Sequence, residues 1–543
     1  MRKFIFVSGG VCSGLGKGVS ASSLGALLEA RGLNVCMIKC DPYINVDAGT
    51  MSPYEHGEVY VTDDGAETDL DLGNYARFTK SRLTKANSLT TGQIYKAVIE
   101  HEREGRYLGK CVQVIPHVTD EIKRRIVAAA EADAETDVAI IEIGGTVGDI
   151  ESIPFLEAAR QIINESGRKN AIIVHLTMIP EMADGEQKTK PSQHSVKVMQ
   201  GMGLQPDALI CRASRMLDDE TRQKLALFTN VEEDAVFTSR DVSRTMYEVP
   251  LMFHEQKLDQ VALRKMGLEF RHSNLRPWHA MMERLASPRG KARIGVVGKY
   301  TELHDAYKSV YEALFHAGLE CSVEVEIVKI DSSDIEGPEF FSGPGAGLQG
   351  ILIPGGFGHR GIEGIIRAAA WARESLVPCF GVCLGMQIMT IEWCRNVLGW
   401  KDADSQEFAP NARRVIELLE GQDENALGGT MRLGLGRLEA LPGTRIHAAY
   451  GKSEIFERHR HRYEFSNRFR AEIRASGLIL AAQTQIAGAA EGLVECVEWP
   501  DHPWGVGVQF HPEFKSRPMA ASPLFRDFVA AAADFASRGG ASG

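Results

Sequence analysis

The chain runs to 543 residues, with 61 Lys plus Arg against 72 Asp plus Glu, a formal net charge of −11. That length exceeds what one hydrophobic core organises and predicts at least two domains, while the acidic balance argues against a dedicated nucleic-acid binder. Hydrophobic residues at 44% and charged residues at 24% exclude a disordered or fibrous chain, and no apolar run approaches the roughly 20 residues of a membrane helix.

The basic start Met1-Arg2-Lys3 and the apolar Phe4 to Val7 read as a first strand rather than a signal peptide, because glycines and a lysine interrupt at once. Further strands are predicted at Val35–Lys39, Val112–Ile115, Val138–Ile143, Ala171–Leu176 and Ala208–Cys211, with helical patterns between them such as Thr119–Ala132. This alternation predicts an α/β domain over 1–265. Residues 266–291, rich in Arg, Ser and Pro, read as an interdomain linker. A new strand at Ala292–Val297 then opens a second α/β domain over 292–535, and a helix follows it with Tyr307, Val310, Tyr311 and Leu314 on one face. Each domain is expected to be a mainly parallel sheet covered by helices, and 536–543 a flexible tail. Ten cysteines from Cys12 to Cys496 include no CxxC pair, which points to a reducing, cytoplasmic setting.

Between the first strand and the run Ala21–Ala30 lies Ser8-Gly9-Gly10-Val11-Cys12-Ser13-Gly14-Leu15-Gly16-Lys17-Gly18. Strand, glycine-rich turn, lysine and helix start make a nest of N–H groups suited to a triphosphate, with Lys17 reaching the outer phosphates. Five residues separate Gly10 from Gly16, and Gly18 stands where a magnesium-binding Ser or Thr is usual. Metal ligands must therefore come from elsewhere: Glu142 at the end of a buried strand, and Asp69 or Asp71, are the oxygen donors that suit Mg²⁺. Lys39, Lys188 and Lys190 could neutralise further phosphate charge.

In the second half, Gly381-Val382-Cys383-Leu384-Gly385 is the thiol form of a nucleophile elbow, a tight turn that exposes Cys383 at a helix start. His511-Pro512-Glu513 supplies a base and its orienter, and Pro354 to Gly358 a loop of N–H groups for an oxyanion hole. His-x-Glu also occurs in zinc deaminases, but the Pro-Cys-x-x-Cys partner is absent downstream of His511.

With these motifs in order, the second half resembles the class I glutamine amidotransferases and the whole chain resembles the CTP synthase family. The resemblance rests on Ser8–Gly18, Lys39–Asp47, His56–Val59, Gly144–Ser152, Lys188–Gln193, Cys383–Gln387 and Arg458–Tyr463. It implies a C–N-forming ligase that aminates UTP with ATP, through a 4-phosphorylated intermediate, using ammonia from glutamine.

Carried over by position, the resemblance implies a catalytic triad of Cys383, His511 and Glu513. ATP would meet Ser13, Gly14, Leu15, Gly16, Lys17, Gly18, Lys39 and Asp71, with Mg²⁺ on Asp71 and Glu142. UTP, or the inhibitor CTP, would meet Ser13, Asp149, Ile150, Glu151, Lys188, Thr189, Lys190, Pro191, Ser192, Gln193 and Lys224. Glutamine would meet Gly356, Leu384, Gly385, Met386, Gln387, Glu407 and Arg462, and ammonia would pass His56 and Val59. GTP activation, a homotetramer and filaments are further implications, with no nucleic-acid or membrane partner. The family pattern carries Val and Ser where this chain has Cys12 and Gly14. We place the expected action of GTP at the loop Phe357–Gly361. A cobyrinate-amidase-like ligase and a catalytically silent nucleotide-binding filament protein are the alternatives.

Overall fold

The computed structural model describes residues 2–419, 431–485 and 491–539. Contacts divide it into two compact units, one of Met1–Ala48 with Asp71–His279, the other of Gly49–Leu70 with Ala280–Gly543.

The first unit is built on a seven-stranded, wholly parallel sheet. Its strands are β1 (Lys3–Gly9), β2 (Val35–Asp41), β3 (Ser88–Thr90), β4 (Val138–Ile143), β5 (Ala171–Met178), β6 (Ala208–Ala213) and β7 (Val236–Arg240), in the order β3-β2-β4-β1-β5-β6-β7. The central strands are continuous apolar runs because helices bury both faces of a parallel sheet; all six residues of β4 are buried. The helices that bear on the site are α1 (Lys17–Ala30), α2 (Leu70–Phe78), α3 (Thr119–Glu131), α4 (Ile153–Ser166) and α5 (Lys190–Gly201).

The second unit holds a nine-stranded sheet of β8 (Gly290–Gly298), β9 (Val323–Asp331), β10 (Gly350–Ile353), β11 (Cys379–Val382), β12 (Arg432–Ala440), β13 (Glu454–His461), β14 (Ile479–Thr484), β15 (Leu493–Glu498) and β16 (Gly505–Val508). Its order is β9-β8-β10-β11-β16-β15-β14-β12-β13, parallel through the first five strands and antiparallel through the rest. α6 (Arg276–Ala286) precedes it in the chain, and around it lie α7 (Lys308–Cys321), α8 (Ile362–Glu374), α9 (Leu384–Asn396) and α10 (Pro523–Ser537).

Several expectations change. Val112–Ile115 is not a strand: residues from Val114 wind into a single wide turn, Val114–Val118, that runs straight into α3, and Pro116 has no N–H for a sheet ladder. The sheet position goes instead to the three-residue β3, too short for an apolar period to show, and β7 joins the far edge. The 266–291 segment contains α6, whose Trp278 packs on Phe78 and Tyr247. The tail begins later than 536, since α10 continues to Ser537, and 540–543 lie outside the described residues. Gly49–Leu70, which the sequence reading put with the first domain, belongs to the second unit.

Candidate active site

In the first unit the candidate residues sit where parallel strands end, the usual ligand edge of an open α/β sheet. β1 leads through residues 10–16 into α1; Val11–Gly14 are exposed, and Gly14 and Gly16 take φ of +74° and +83°. Gly14 thus holds a left-handed conformation that a serine would adopt only at a cost. The first-turn N–H groups of α1 have no side-chain cap at Gly16, which leaves them available to an anion. Lys17 donates to the carbonyl of Gly145, and burial lowers the pKa of its ammonium.

Beside it stands a buried acid–lysine cluster. Lys39, at 4% exposure, pairs with Asp71, with Glu142 at 3.3 Å and with Asp41 at 3.5 Å. Tyr75 donates its hydroxyl to Glu142, and Asn74 Nδ2 donates to Asp71 Oδ1 at 3.3 Å. Burial pushes both carboxyls up; at Asp71 the Lys39 pair outweighs it and holds the group low, whereas at Glu142 the Asp71 charge adds to burial and the group stays high. A Cβ on Gly18 would lie 2.1 Å from Asp71 Oδ1. Gly18 therefore departs from the usual Ser or Thr because the carboxylate of Asp71 occupies that space. Two hard oxygen donors at the phosphate-loop helix fit Mg²⁺ completed by phosphate and water.

The loops after β4 and β5 close on the same edge. Val147 N–H donates to the Gly9 carbonyl at 2.8 Å, and Gly10 lies against Ser195 of α5. Asp149, Ile150, Glu151, Lys190 and Lys224 are exposed, Lys188 half-buried and paired with Glu186. Thr189, Ser192 and Gln193 face inward instead: Ser192 Oγ donates to Thr177 Oγ1 at 2.8 Å, and Gln193 Nε2 to Thr189 Oγ1 at 3.0 Å. Pro191 starts α5. Sequence reasoning missed Tyr75, Asn74 and the buried His175, which bridges Ser8 Oγ at 2.9 Å and Ser195 Oγ at 2.8 Å and is held neutral by burial, at about 3. No motif spacing marks any of them.

In the second unit β11 turns sharply into α9 at Cys383, whose φ of +54° and ψ of −101° put a non-glycine residue in a strained conformation. The flanking glycines make this possible. A Cβ on Gly381 would meet the Gly385 backbone at 2.6 Å, and one on Gly385 the Ile353 carbonyl oxygen at 2.3 Å. His511 Nδ1 lies 2.7 Å from Glu513 Oε1, and the ring and Cys383 both face the space beside Gly355. Burial alone would depress the imidazole; Glu513 and the Cys383 sulfur outweigh it and raise His511 to about 10.

A cavity of about 410 Å³ opens on Cys383 and His511. Of the glutamine candidates Gly356, Glu407 and Arg462 line it, while Leu384, Gly385, Met386 and Gln387 lie behind it in α9. Gln387 donates to the Tyr463 carbonyl at 2.9 Å. The lip is fixed by two contacts: Glu407 Oε1 accepts from Gly358 N–H at 2.6 Å, and the buried Lys299 donates to the carbonyls of Phe357, at 3.2 Å, and Gly358. Burial pushes Lys299 down to about 8 and raises Glu407. Thr50, Pro53, Glu58 and Val59 form another wall. Of these Val59 was expected near this chemistry; His56, expected with it, stands on the same segment 3.6 Å from Asp69.

The family description CTP synthase N-terminus matches residues 3–268, and Glutamine amidotransferase class-I matches residues 302–531. The CTP synthase of Carboxydothermus hydrogenoformans is 53% identical over 534 residues, and that of Geobacter sulfurreducens 53% over 537, each covering 98% of both chains. A solved structure of the Trypanosoma brucei CTPS glutaminase domain with bound acivicin is 38% identical, with a TM-score of 0.42, and covers 45% of this chain and 94% of its own. The chain therefore belongs to the CTP synthase family, with an N-terminal synthase domain and a class I glutamine amidotransferase domain.

Proposed function

We propose that the chain makes CTP from UTP: ATP phosphorylates the uracil 4-oxygen, and ammonia released from glutamine displaces that phosphate. The observation that carries this is a strained Cys383 on the same cavity as a hydrogen-bonded His511–Glu513 pair, in a chain that also holds a phosphate loop against Lys39, Asp71 and Glu142.

In the amidotransferase half His511 takes the Cys383 proton, the thiolate attacks the glutamine amide carbon, and the resulting imidazolium returns the proton to the departing ammonia. In this reading the N–H groups of Gly356 and Leu384 receive the oxyanion. Glu407 and Arg462 hold the amino-acid end of glutamine. Ammonia is mostly protonated in neutral water and then no nucleophile, so delivery along His56 and Val59 preserves it. In the synthase half Lys17 and Lys39 neutralise the phosphates, and Asp71 and Glu142 hold Mg²⁺, which when bound screens the charge of the transferring phosphoryl group. Ser13, Asp149, Glu151, Lys188, Lys190, Gln193 and Lys224 serve the pyrimidine nucleotide, with Ile150, Thr189, Pro191 and Ser192 shaping the loops that carry them.

CTP inhibition, GTP activation at Phe357–Gly361, a homotetramer, filaments and a cytoplasmic location belong to the same reading. No helix among the described residues is long and apolar enough to cross a membrane. Arg360 in that loop bonds Tyr54 OH at 3.0 Å and Asp331 at 3.1 Å; full GTP activation in Arg360→Ala would place the effector elsewhere. The cobyrinate-amidase alternative is not favoured, given 53% identity to CTP synthases along the chain.

The decisive assay is chromatographic conversion of UTP to CTP with ATP and Mg²⁺, with glutamine or ammonium as nitrogen source. The wild type should use both and Cys383→Ala only ammonium, its glutamine-dependent rate falling by at least about 10³-fold. No CTP from either source, with GTP present, would overturn the proposal.

A further inference from the structure

The turn that carries His511 and Glu513 is braced by a residue from the N-terminal half of the sequence. The Phe514 ring stacks on the His511 imidazole, centroids 5.1 Å apart and planes at 17°. Tyr60, buried to 1% exposure, meets Phe514 edge-on at 5.2 Å, and its hydroxyl donates to the Phe514 carbonyl at 3.0 Å. Arg458 completes the brace. Its Nη1 donates to Tyr60 OH at 2.6 Å and to the Val61 carbonyl at 3.0 Å, its Nε to Asp63 at 2.7 Å, and its own carbonyl accepts the His511 N–H at 2.8 Å.

We propose that Tyr60 and Arg458 are positioning residues of glutamine hydrolysis, setting the plane and reach of the His511 imidazole through Phe514. Glu513 fixes one ring nitrogen, but a single hydrogen bond leaves the ring free to swing about that contact; a stacked ring pinned at its own carbonyl removes that freedom. A displacement of about 1 Å at a reacting centre costs about 10²-fold in rate, so the brace has leverage without touching substrate. Tyr60 directly follows Val59 in the cavity wall, so the segment that lines the cavity also holds the base.

The inference rests on the reading of Cys383 and His511 as nucleophile and base, which Cys383→Ala tests separately: a variant that still hydrolyses glutamine would remove that reading itself. The brace is tested in the full-length protein with Tyr60→Phe, which keeps ring and volume and deletes the hydroxyl, and with Arg458→Lys and Arg458→Met. Tyr60→Phe should lower the glutaminase kcat by about 10-fold, leave the KM for glutamine within about twofold and shift the alkaline limb of the pH profile downward by about half a unit. Its ammonium-dependent CTP synthesis should match the wild type. Arg458→Lys should retain clearly more glutaminase activity than Arg458→Met, because an ammonium can still reach one of the three oxygens. A Tyr60→Phe enzyme with wild-type kcat and pH profile would overturn the proposal, as would equal losses with glutamine and ammonium, which would mark a general effect on folding.

Discussion

The turn from β1 to α1 and the turn from β11 to α9 use the same plan, a parallel strand, a glycine-rich bend and a helix start, yet they finish differently. In the first the bend is open: Val11–Gly14 are exposed, and positive φ is spread over Val11, at +84°, Gly14 and Gly16. In the second the bend is closed, Cys383 is 4% exposed and the strained residue is the cysteine itself. The difference follows from what each turn must present. A polyphosphate is recognised by several backbone N–H groups at once, so the chain has to stand clear of its own side chains. A nucleophile needs one sulfur at one place in a site that excludes water, and enclosure fixes it. The glycines differ accordingly. Gly18 makes room for a side chain, Asp71 Oδ1, whereas Gly385 makes room for a backbone oxygen that cannot swing aside.

The sharpest way to break this comparison is Gly385→Ala. With its Cβ 2.3 Å from the Ile353 carbonyl, the elbow must open, and we expect glutaminase activity to fall by about 10²- to 10³-fold with about 2 to 3 kcal/mol of destabilisation in thermal or urea unfolding. Ammonium-dependent synthesis should survive at temperatures where the variant stays folded.

Gly18→Ala should be milder and of opposite selectivity. Its Cβ displaces a carboxylate that can rotate, so we expect a loss of about 10-fold in kcat/KM for ATP, equal with glutamine and with ammonium. A loss confined to the glutamine reaction would contradict the assignment of the two turns to two chemistries.

The smallest effect concerns the pH range of the closed turn. Because His511 is raised to about 10, its ion pair stabilises the fold fully below the ordinary imidazole range and loses that contribution as pH rises through 10. Glu513→Gln removes the main raising influence. The alkaline limb of the glutaminase profile should move down by about one to two units, while the acid limb of ammonium-dependent synthesis stays in place.

Much of this was legible in the amino-acid order. The phosphate loop, the elbow at Cys383 and His511-Pro512-Glu513 are each contained within a dozen residues, and their chemistry is carried by local turns. The run Val138–Ile143 became β4 with unchanged bounds, because a strand buried on both faces is apolar along its length, Glu142 near its end being the exception. Illegible were features whose cause lies far away in sequence. Val112–Ile115 has strand-forming composition but leads into Pro116 and α3, while Ser88–Thr90 has almost no pattern and is a strand because β2 lies beside it. Tyr75 on Glu142, His175 between Ser8 and Ser195, and Lys299 on the loop carbonyls are polar side chains whose burial is set by the packing.

The sequence by itself determined the class of each domain, the reacting thiol and the phosphate loop, because those depend on backbone turns and periodicities that neighbours along the chain dictate. Only the tertiary structure decided that Gly49–Leu70 builds the wall of the cysteine cavity and that Tyr60 reaches Phe514, 454 positions away. Contacts over such separations leave no local period; they exist because burial of apolar surface brings the elements together and buried polar groups must then find partners there.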